Sequence, residues 1–322
     1  MTMEITEVKH RNMRTSSNPS DSKAACAVPQ VLRGVRVLSL CLNLPGPATL
    51  MRCRQMGASC VKLEPPAPAS AQPGTSSDPM KLYKPAAYDV LHQGVRIGVA
   101  DLKTDQGQKT LQRELAKADV LLTSFRPSAL GKLGLDWKTL QKAYPNLSQV
   151  AILGAPGGRA EEPGHDLTYL AENDLVNGLE LPPTLYADMG GSLMGSEAVL
   201  QAVLQQSRKG KGCYIEVALS EAARYLGLPR HWGLTLSGAA VGGGHAGYRV
   251  YPCQDGRVAV AALEPHFAKA LCAAAGIQNA TMMTMLAPAT HQAIAAYLLT
   301  KTRQALDTLA REKDIPLHTL PK

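Results

Sequence analysis

The chain has 322 residues, 45% apolar and 19% charged, with 34 Lys and Arg against 26 Asp and Glu for a formal charge of +8. These proportions exclude wholesale disorder and allow a core large enough for two domains. The positive balance favours an anionic partner, but the basic residues are dispersed and only 4% of residues are aromatic. That leaves little for base stacking, and a phosphorylated small molecule fits the charge equally well.

The seven cysteines, Cys26, Cys41, Cys53, Cys60, Cys213, Cys253 and Cys272, are odd in number and form no C-x-x-C. Neither a disulfide framework nor a zinc site is expected from them. With no run of about 18 apolar residues and no continuous apolar leader segment, the sequence predicts a cytoplasmic protein without a membrane span.

Residues 1–30 are polar and without period, and are expected to form a flexible lead-in. The pattern changes at Leu32. Residues 35–40 read as a buried strand, Pro45-Gly46-Pro47 opens a helix that runs to residue 56, and 60–64 read as a second strand stopped by Pro65-Pro66. This strand-helix-strand order is a βαβ unit and predicts an α/β fold with a parallel, Rossmann-like sheet. Residues 65–90, rich in Pro, Ala and Ser, read as a surface excursion. Alternation resumes with a strand at 95–99, a helix at 106–118, a strand at 120–123 and another at 147–152. Lys103 and Arg126 both fall just past strand ends. They are either solvated cations or a pair that shares a phosphate.

A helix is predicted over 190–206, with its first turn immediately after Asp188, followed by a basic turn at 207–212 and a strand at 213–219. Orphan N–H groups at that helix start could hold an oxygen that becomes negative. After about residue 225 the texture changes. Strands at 248–251 and 258–261 are joined by a turn at Gln254-Asp255-Gly256, and helices follow over 265–275, 289–301 and 303–312. The chain therefore divides into a large domain over 31–224 and a small α+β domain over 225–322.

Reactive constellations are few. Gly242, Gly244 and Gly247 fit G-x-G-x-x-G, but no strand leads in and no helix follows, so the run reads as a glycine flap or a plain loop. There is no P-loop, no G-x-S-x-G elbow and no H-E-x-x-H, and no metal site is expected. Glu264 stands at a strand-to-helix junction, either as a first-turn carboxylate or as a partner for an imidazole. On spacing alone Pro163-Gly164-His165-Asp166 reads as a helix N-cap. Set against Asp188 in Tyr186-Ala187-Asp188-Met189, the same segment supplies an imidazole to face a carboxylate across a substrate, one taking a proton and the other returning one.

Taken in order, these segments resemble the family III CoA-transferases, and within them the α-methylacyl-CoA racemase branch, over roughly residues 31–275. The motifs are Leu44-Pro45-Gly46-Pro47, Val61-Lys62-Leu63-Glu64-Pro65-Pro66, Ala100-Asp101-Leu102-Lys103, Ser124-Phe125-Arg126-Pro127, Gly164-His165-Asp166, Ala187-Asp188-Met189-Gly190-Gly191 and Ala262-Leu263-Glu264-Pro265. The resemblance implies a Rossmann-like large domain, a small domain, and a homodimer interlocked so that the site lies between domains of different subunits. It implies coenzyme A as the substrate thioester, with no metal, no nucleic acid and no membrane. Asp188 aligns with the carboxylate shared by transferases and racemases, His165 with the racemase imidazole, and Glu264 with a carboxylate that contacts that imidazole. Ala100, Asp101, Leu102, Lys103, Ser124, Phe125, Arg126, Lys132, Gly164, Asp166 and Tyr169 align with CoA-contacting positions, and Gly242 to Gly244 with the glycine loop of transferases. Racemisation or epimerisation of a 2-methylacyl-CoA is the first expectation. CoA transfer through an aspartyl-CoA intermediate is the alternative, and a non-catalytic member that binds acyl-CoA or pairs with a relative is the third.

Overall fold

A computed structural model of the chain describes residues 29–68 and 76–322, so the predicted lead-in lies almost wholly outside the described residues, as does Cys26. The apolar runs of the first two thirds form strands β1 (Arg36–Ser39), β2 (Ser59–Glu64), β3 (Arg96–Val99), β4 (Val120–Thr123), β5 (Ser148–Leu153) and β6 (Tyr214–Ala218). They make one sheet in the order β3-β2-β1-β4-β5-β6, with every neighbouring pair parallel. Every residue of β4 and β5 is buried, as strands covered on both faces require. Alternation along the strands divides the core: Val37, Leu122 and Val150 face one cluster, Leu38 and Leu121 the other.

Helices α1 (Pro45–Gln55), α2 (Pro79–Tyr83), α3 (Pro85–Leu91), α4 (Asp105–Leu115), α5 (Pro127–Lys132), α6 (Trp137–Ala143), α7 (Asp166–Glu172), α8 (Tyr186–Lys209) and α9 (Leu219–Leu226) accompany this sheet. Four of them start on proline, whose fixed φ suits a first helical turn. That corrects the reading of residues 65–90. Over the described part, prolines 79 and 85 start α2 and α3, and Met80, Tyr88 and Leu91 pack on Ala48 of α1 rather than loop outward.

A second correction concerns α8, which begins at Tyr186, four residues before the predicted start, so Asp188 lies inside its first turn. The amide of Met189 donates to the Leu185 carbonyl at 3.0 Å and Ala187 is fully buried. The helix is tied to α1 by Thr49 Oγ1, which donates to the Ser192 carbonyl at 3.2 Å, and by Arg52 Nε, which donates to Ser196 Oγ at 3.0 Å.

Short helix α10 (Leu228–His231) leads towards a separate antiparallel sheet of β7 (Tyr248–Cys253), β8 (Gly256–Ala261) and β9 (Leu317–Leu320). The predicted hairpin joins β7 to β8. The four-residue β9, which pairs antiparallel with β8, carries too little pattern to be found without its partner. Helices α11 (Pro265–Ala274), α12 (Met282–Met285), α13 (Pro288–Leu299) and α14 (Arg303–Lys313) cover it, around a core that includes Tyr251, Val258, Leu271, Leu298 and Leu306. Among the described residues no helix is long and apolar enough to cross a membrane.

Candidate active site

In the parallel sheet the strand order reverses between β1 and β4, which leaves a crevice beyond the C-terminal ends of the strands. A cleft of about 210 Å³ lies there. It is lined by Leu42, Asn43 and Pro45 after β1, by Ser124, Phe125 and Arg126 after β4, and by Ile152, Leu153 and Gly154 from the end of β5. Gly164, His165 and Tyr169 at the start of α7 and Asp188 in the first turn of α8 complete the chemistry-bearing wall.

Asp188 is half-buried, and its own N–H donates to Asp166 Oδ1 at 2.9 Å. Burial, with the buried Asp166 carboxylate beside it, raises the Asp188 carboxyl to about 6, an effect that the His165 ring partly offsets. The positive end of α8 would favour the anion, so loss of solvation and a like charge outweigh the helix dipole here. A carboxyl poised near neutrality can accept and return protons, and when ionised it can also attack a carbonyl.

His165 shows why the helix-cap and catalytic readings of its tetrad are compatible. It is the N-cap of α7, in extended conformation, and Thr168 Oγ1 accepts from its N–H at 3.1 Å while the Thr168 amide donates to its carbonyl at 2.9 Å. The main chain starts the helix, and the exposed imidazole lines the cleft. Tyr169 is buried between Gly154 and Gly164, where a Cβ on either glycine would overlap its ring or hydroxyl. Partial burial and the Asp188 charge push its phenol up, so it remains a donor, and among the described residues the hydroxyl has no hydrogen-bond partner.

The early start of α8 changes the expected oxyanion site. The Asp188 amide serves Asp166 and the Met189 amide serves Leu185, so the amides immediately after Asp188 are already used inside the helix. The strands β3 and β4, which the two predicted cations follow, are separated by β2 and β1, roughly 14 Å across three strand spacings. Arg126 lines the cleft, whereas Ala100, Asp101, Leu102, Lys103 and Lys132 do not. Asp101 instead closes its own turn by accepting from the Lys103 amide at 3.0 Å. Glu264, exposed at the N-cap of α11, also lies outside the cleft lining.

The Gly242 to Gly244 run forms a turn held at two carbonyls. Arg249 Nη1 donates to the Gly243 carbonyl at 3.1 Å, and His291 Nε2 lies 2.9 Å from that of Gly244. Sequence reasoning missed Asn43, Gly154 and Glu162 as cleft residues, and missed a buried cluster of Lys62, Glu64, Asp78 and His92 behind it. Lys62 and Glu64, two apart in a strand bordered by strands on both sides, fall on one face; that spacing was the available signal. Ligand atoms of Glu64, Asp78 and His92 lie within 4.8 Å of one another, close enough to hold a metal, but Lys62 Nζ stands among them.

The model of a family described as CoA-transferase family III matches residues 32–321. The chain is 30% identical over 280 residues to alpha-methylacyl-CoA racemase of Mus musculus, spanning 80% of this chain and 68% of that protein. For the Homo sapiens racemase the figures are 31% over 266 residues, 77% and 65%. It is also 30% identical over 204 residues to cinnamoyl-CoA:phenyllactate CoA-transferase of Clostridium sporogenes, spanning 60% of this chain and 50% of that protein. The chain thus spans between about half and two thirds of these relatives' lengths. Among solved structures, Rv3272 of Mycobacterium tuberculosis has a TM-score of 0.77 at 23% identity, covering 91% of this chain and 84% of that one. A CAIB/BAIF family protein of Brucella suis has a TM-score of 0.73 at 22% identity, with the same coverage. Likeness at that identity speaks to the fold.

Proposed function

The chain belongs to CoA-transferase family III, and from that premise we propose that it moves the α-proton of a 2-methylacyl-CoA between His165 and Asp188, racemising or epimerising the α-carbon. The observation that carries this reading is that an imidazole and a carboxylate raised to about 6 line one cleft at the C-terminal edge of the sheet. One of the two groups takes the α-proton, and the electron pair passes into the bond to the carbonyl carbon, giving a thioester enolate. The other returns a proton to the opposite face. Arg126 meets a CoA phosphate, and Ser124, Phe125, Gly164, Asp166 and Tyr169 shape the thioester end. Ala100, Asp101, Leu102, Lys103 and Lys132 serve the nucleotide end, and no metal takes part.

The matches to named CoA-transferases at similar identity support a second reading. In it the Asp188 carboxylate attacks the donor thioester carbonyl, the CoA thiolate leaves, and an acyl-aspartyl anhydride forms. The thiolate then attacks the aspartyl carbonyl, releasing the donor acid and leaving aspartyl-CoA for the acceptor. His165 is dispensable in that scheme. A member that binds acyl-CoA without turning it over is the third.

The remaining proposals share the premise. They are a Rossmann-like large domain over 31–224, whose strand order is that of dinucleotide-binding sheets, a small α+β domain over 225–322, and a cytoplasmic location. They also include an interlocked homodimer that brings Glu264 of one chain to the cleft of its partner. Glu264 lies outside its own cleft, and Tyr225, Trp232, Leu234 and Leu236 are exposed between the two sheets, an apolar stretch suited to a second copy.

The deciding experiment incubates a 2-methylacyl-CoA with the protein in D2O, beside an assay for CoA movement to a free carboxylic acid. Exchange of α-hydrogen without transfer supports the racemase, and transfer that survives His165→Ala supports the transferase. CoA binding with neither activity supports the non-catalytic reading. Arg126→Ala is expected to weaken CoA more than a short acyl-pantetheine, which lacks the nucleotide phosphates.

A further inference from the structure

Behind the cleft, the Lys62 ammonium has no solvent exposure, and its three N–H donors meet Glu64 Oε1 at 2.9 Å, Asp78 Oδ2, and His92 Nε2 at 2.9 Å. His92 Nδ1 lies 2.7 Å from the Tyr88 carbonyl, which can only accept, so Nδ1 carries the ring proton and Nε2 is the acceptor for Lys62. The ammonium is therefore the resident cation of a donor set that would otherwise suit a metal.

Asp78 carries this cluster forward to the cleft. Its carboxylate accepts from the Asn43 amide at 3.1 and 3.3 Å and from the Met80 amide at 2.9 Å, fixing the loop after β1 and the start of α2 together. Asn43 is held at φ 66°, a left-handed conformation uncommon outside glycine. Tyr83, at the end of α2, donates its hydroxyl to Asn43 Oδ1. With Oδ1 occupied, the carboxamide orientation is set and its NH₂ group remains. Among the described residues that group has no partner, and Asn43 lines the cleft with Asp188.

We infer that the Asn43 carboxamide is a hydrogen-bond donor to the thioester oxygen of a substrate in this cleft, and that Lys62 and Asp78 are positioning residues for it. This rests on the acyl-CoA reading above and supplies a donor where the Asp188 and Met189 amides are already engaged. As the α-proton leaves, negative charge moves to the thioester oxygen, and a preorganised N–H there stabilises the enolate more than the ground state.

The test uses Asn43→Gly, which keeps the left-handed backbone open to the chain while removing the carboxamide. The rate of α-deuterium exchange is expected to fall about a hundredfold or more, with CoA affinity within a few fold of the parent. A rate within threefold of the parent, or a loss confined to KM, would overturn the assignment. Infrared spectra of bound isobutyryl-CoA labelled with ¹³C at the carbonyl read the same contact without turnover. The stretch is expected at lower frequency in the parent than in Asn43→Gly. If the parent turns nothing over yet shows this difference, the reaction class is wrong and the donor stands. Equal frequencies, or no binding of isobutyryl-CoA to the parent, remove the donor. Asp78→Asn is expected to raise hydrogen exchange at the Asn43 amide and to lower the exchange rate of substrate less than Asn43→Gly does. Unchanged amide protection in a folded Asp78→Asn protein would overturn the positioning role.

Discussion

Glu64 and Asp188 are both withdrawn from water at the same edge of one sheet, yet their acidities move in opposite directions. Burial pushes Glu64 up, but hydrogen bonds from Ser76 at 2.5 Å, from Lys62 and from Tyr88 at 2.7 Å outweigh it, and the group ends below the usual carboxylate range. Asp188 is raised by burial and by the Asp166 carboxylate, with only the His165 ring opposing, and ends near 6. Burial alone therefore does not decide what a carboxylate is for; its neighbours do. The Lys62 cluster satisfies every donor it brings inside and holds a loop. The Asp188 cleft leaves a carboxyl, a phenol and an imidazole available to a substrate, as a working site must.

The largest effect is expected at Lys62. Lys62→Met leaves Glu64 and Asp78 facing one another without a cation, and urea unfolding at neutral pH is expected to show a loss of about 3–5 kcal/mol. A loss under about 1 kcal/mol would mean that the cluster is not the anchor described.

The opposite sign is expected at Asp188. Its folded pKa, about 6, lies above the ordinary 3.8, so its contribution to stability is fully present below about pH 4 and is lost as pH rises through 6. Asp188→Asn should therefore be more stable than the parent by about 2 kcal/mol at pH 7, allowing for partial exposure. That difference should open between about pH 4 and 6 and stay flat above, while turnover disappears. Equal stability curves across that window would show that Asp188 is not held up by its surroundings.

Ser76→Ala removes one of the hydrogen bonds that hold Glu64 down. Removing a hydrogen bond to a charged group is expected to cost about 1.5 kcal/mol and to move Glu64 upward. Since the Glu64 folded pKa is depressed, the stability it contributes is present above its ordinary value, 4.5, and is lost as pH falls through the folded value. The variant should lose less of it on acidification. The smallest effect is expected from Asp166→Asn, which keeps the acceptor for the Asp188 amide but removes the charge. The acid limb of the kcat/KM profile should move to lower pH, with little change on the plateau. An unmoved limb would exclude Asp166 as a cause of the raised Asp188 pKa.

Several parts of this molecule were readable one residue at a time. The strands of the large sheet announce themselves as apolar runs stopped by prolines and turns, and the hairpin of the small sheet by Gln254-Asp255-Gly256. His165, Asp188, Arg126 and Tyr169 were singled out by their motifs, and all four line the cleft. Other features depended on partners far along the chain. The start of α8 is set where Asp166, 22 residues earlier, accepts the Asp188 amide. The strand β9 exists because β8 offers it an edge. Asn43 looks like an ordinary turn residue until Asp78 and Tyr83 are placed on it.

The alternation of strand and helix, the parallel sheet that such alternation forces, and the family motifs can all be read along the chain, because periodicity and proline placement are local properties. Only in the folded chain is Lys62 buried rather than solvated, Arg126 in the cleft without Lys103, and the Asp188 carboxyl raised to about 6. Each of these depends on which charges and how much water surround a group once strands distant in the chain become neighbours, and desolvation and Coulomb energy are set by those distances in space.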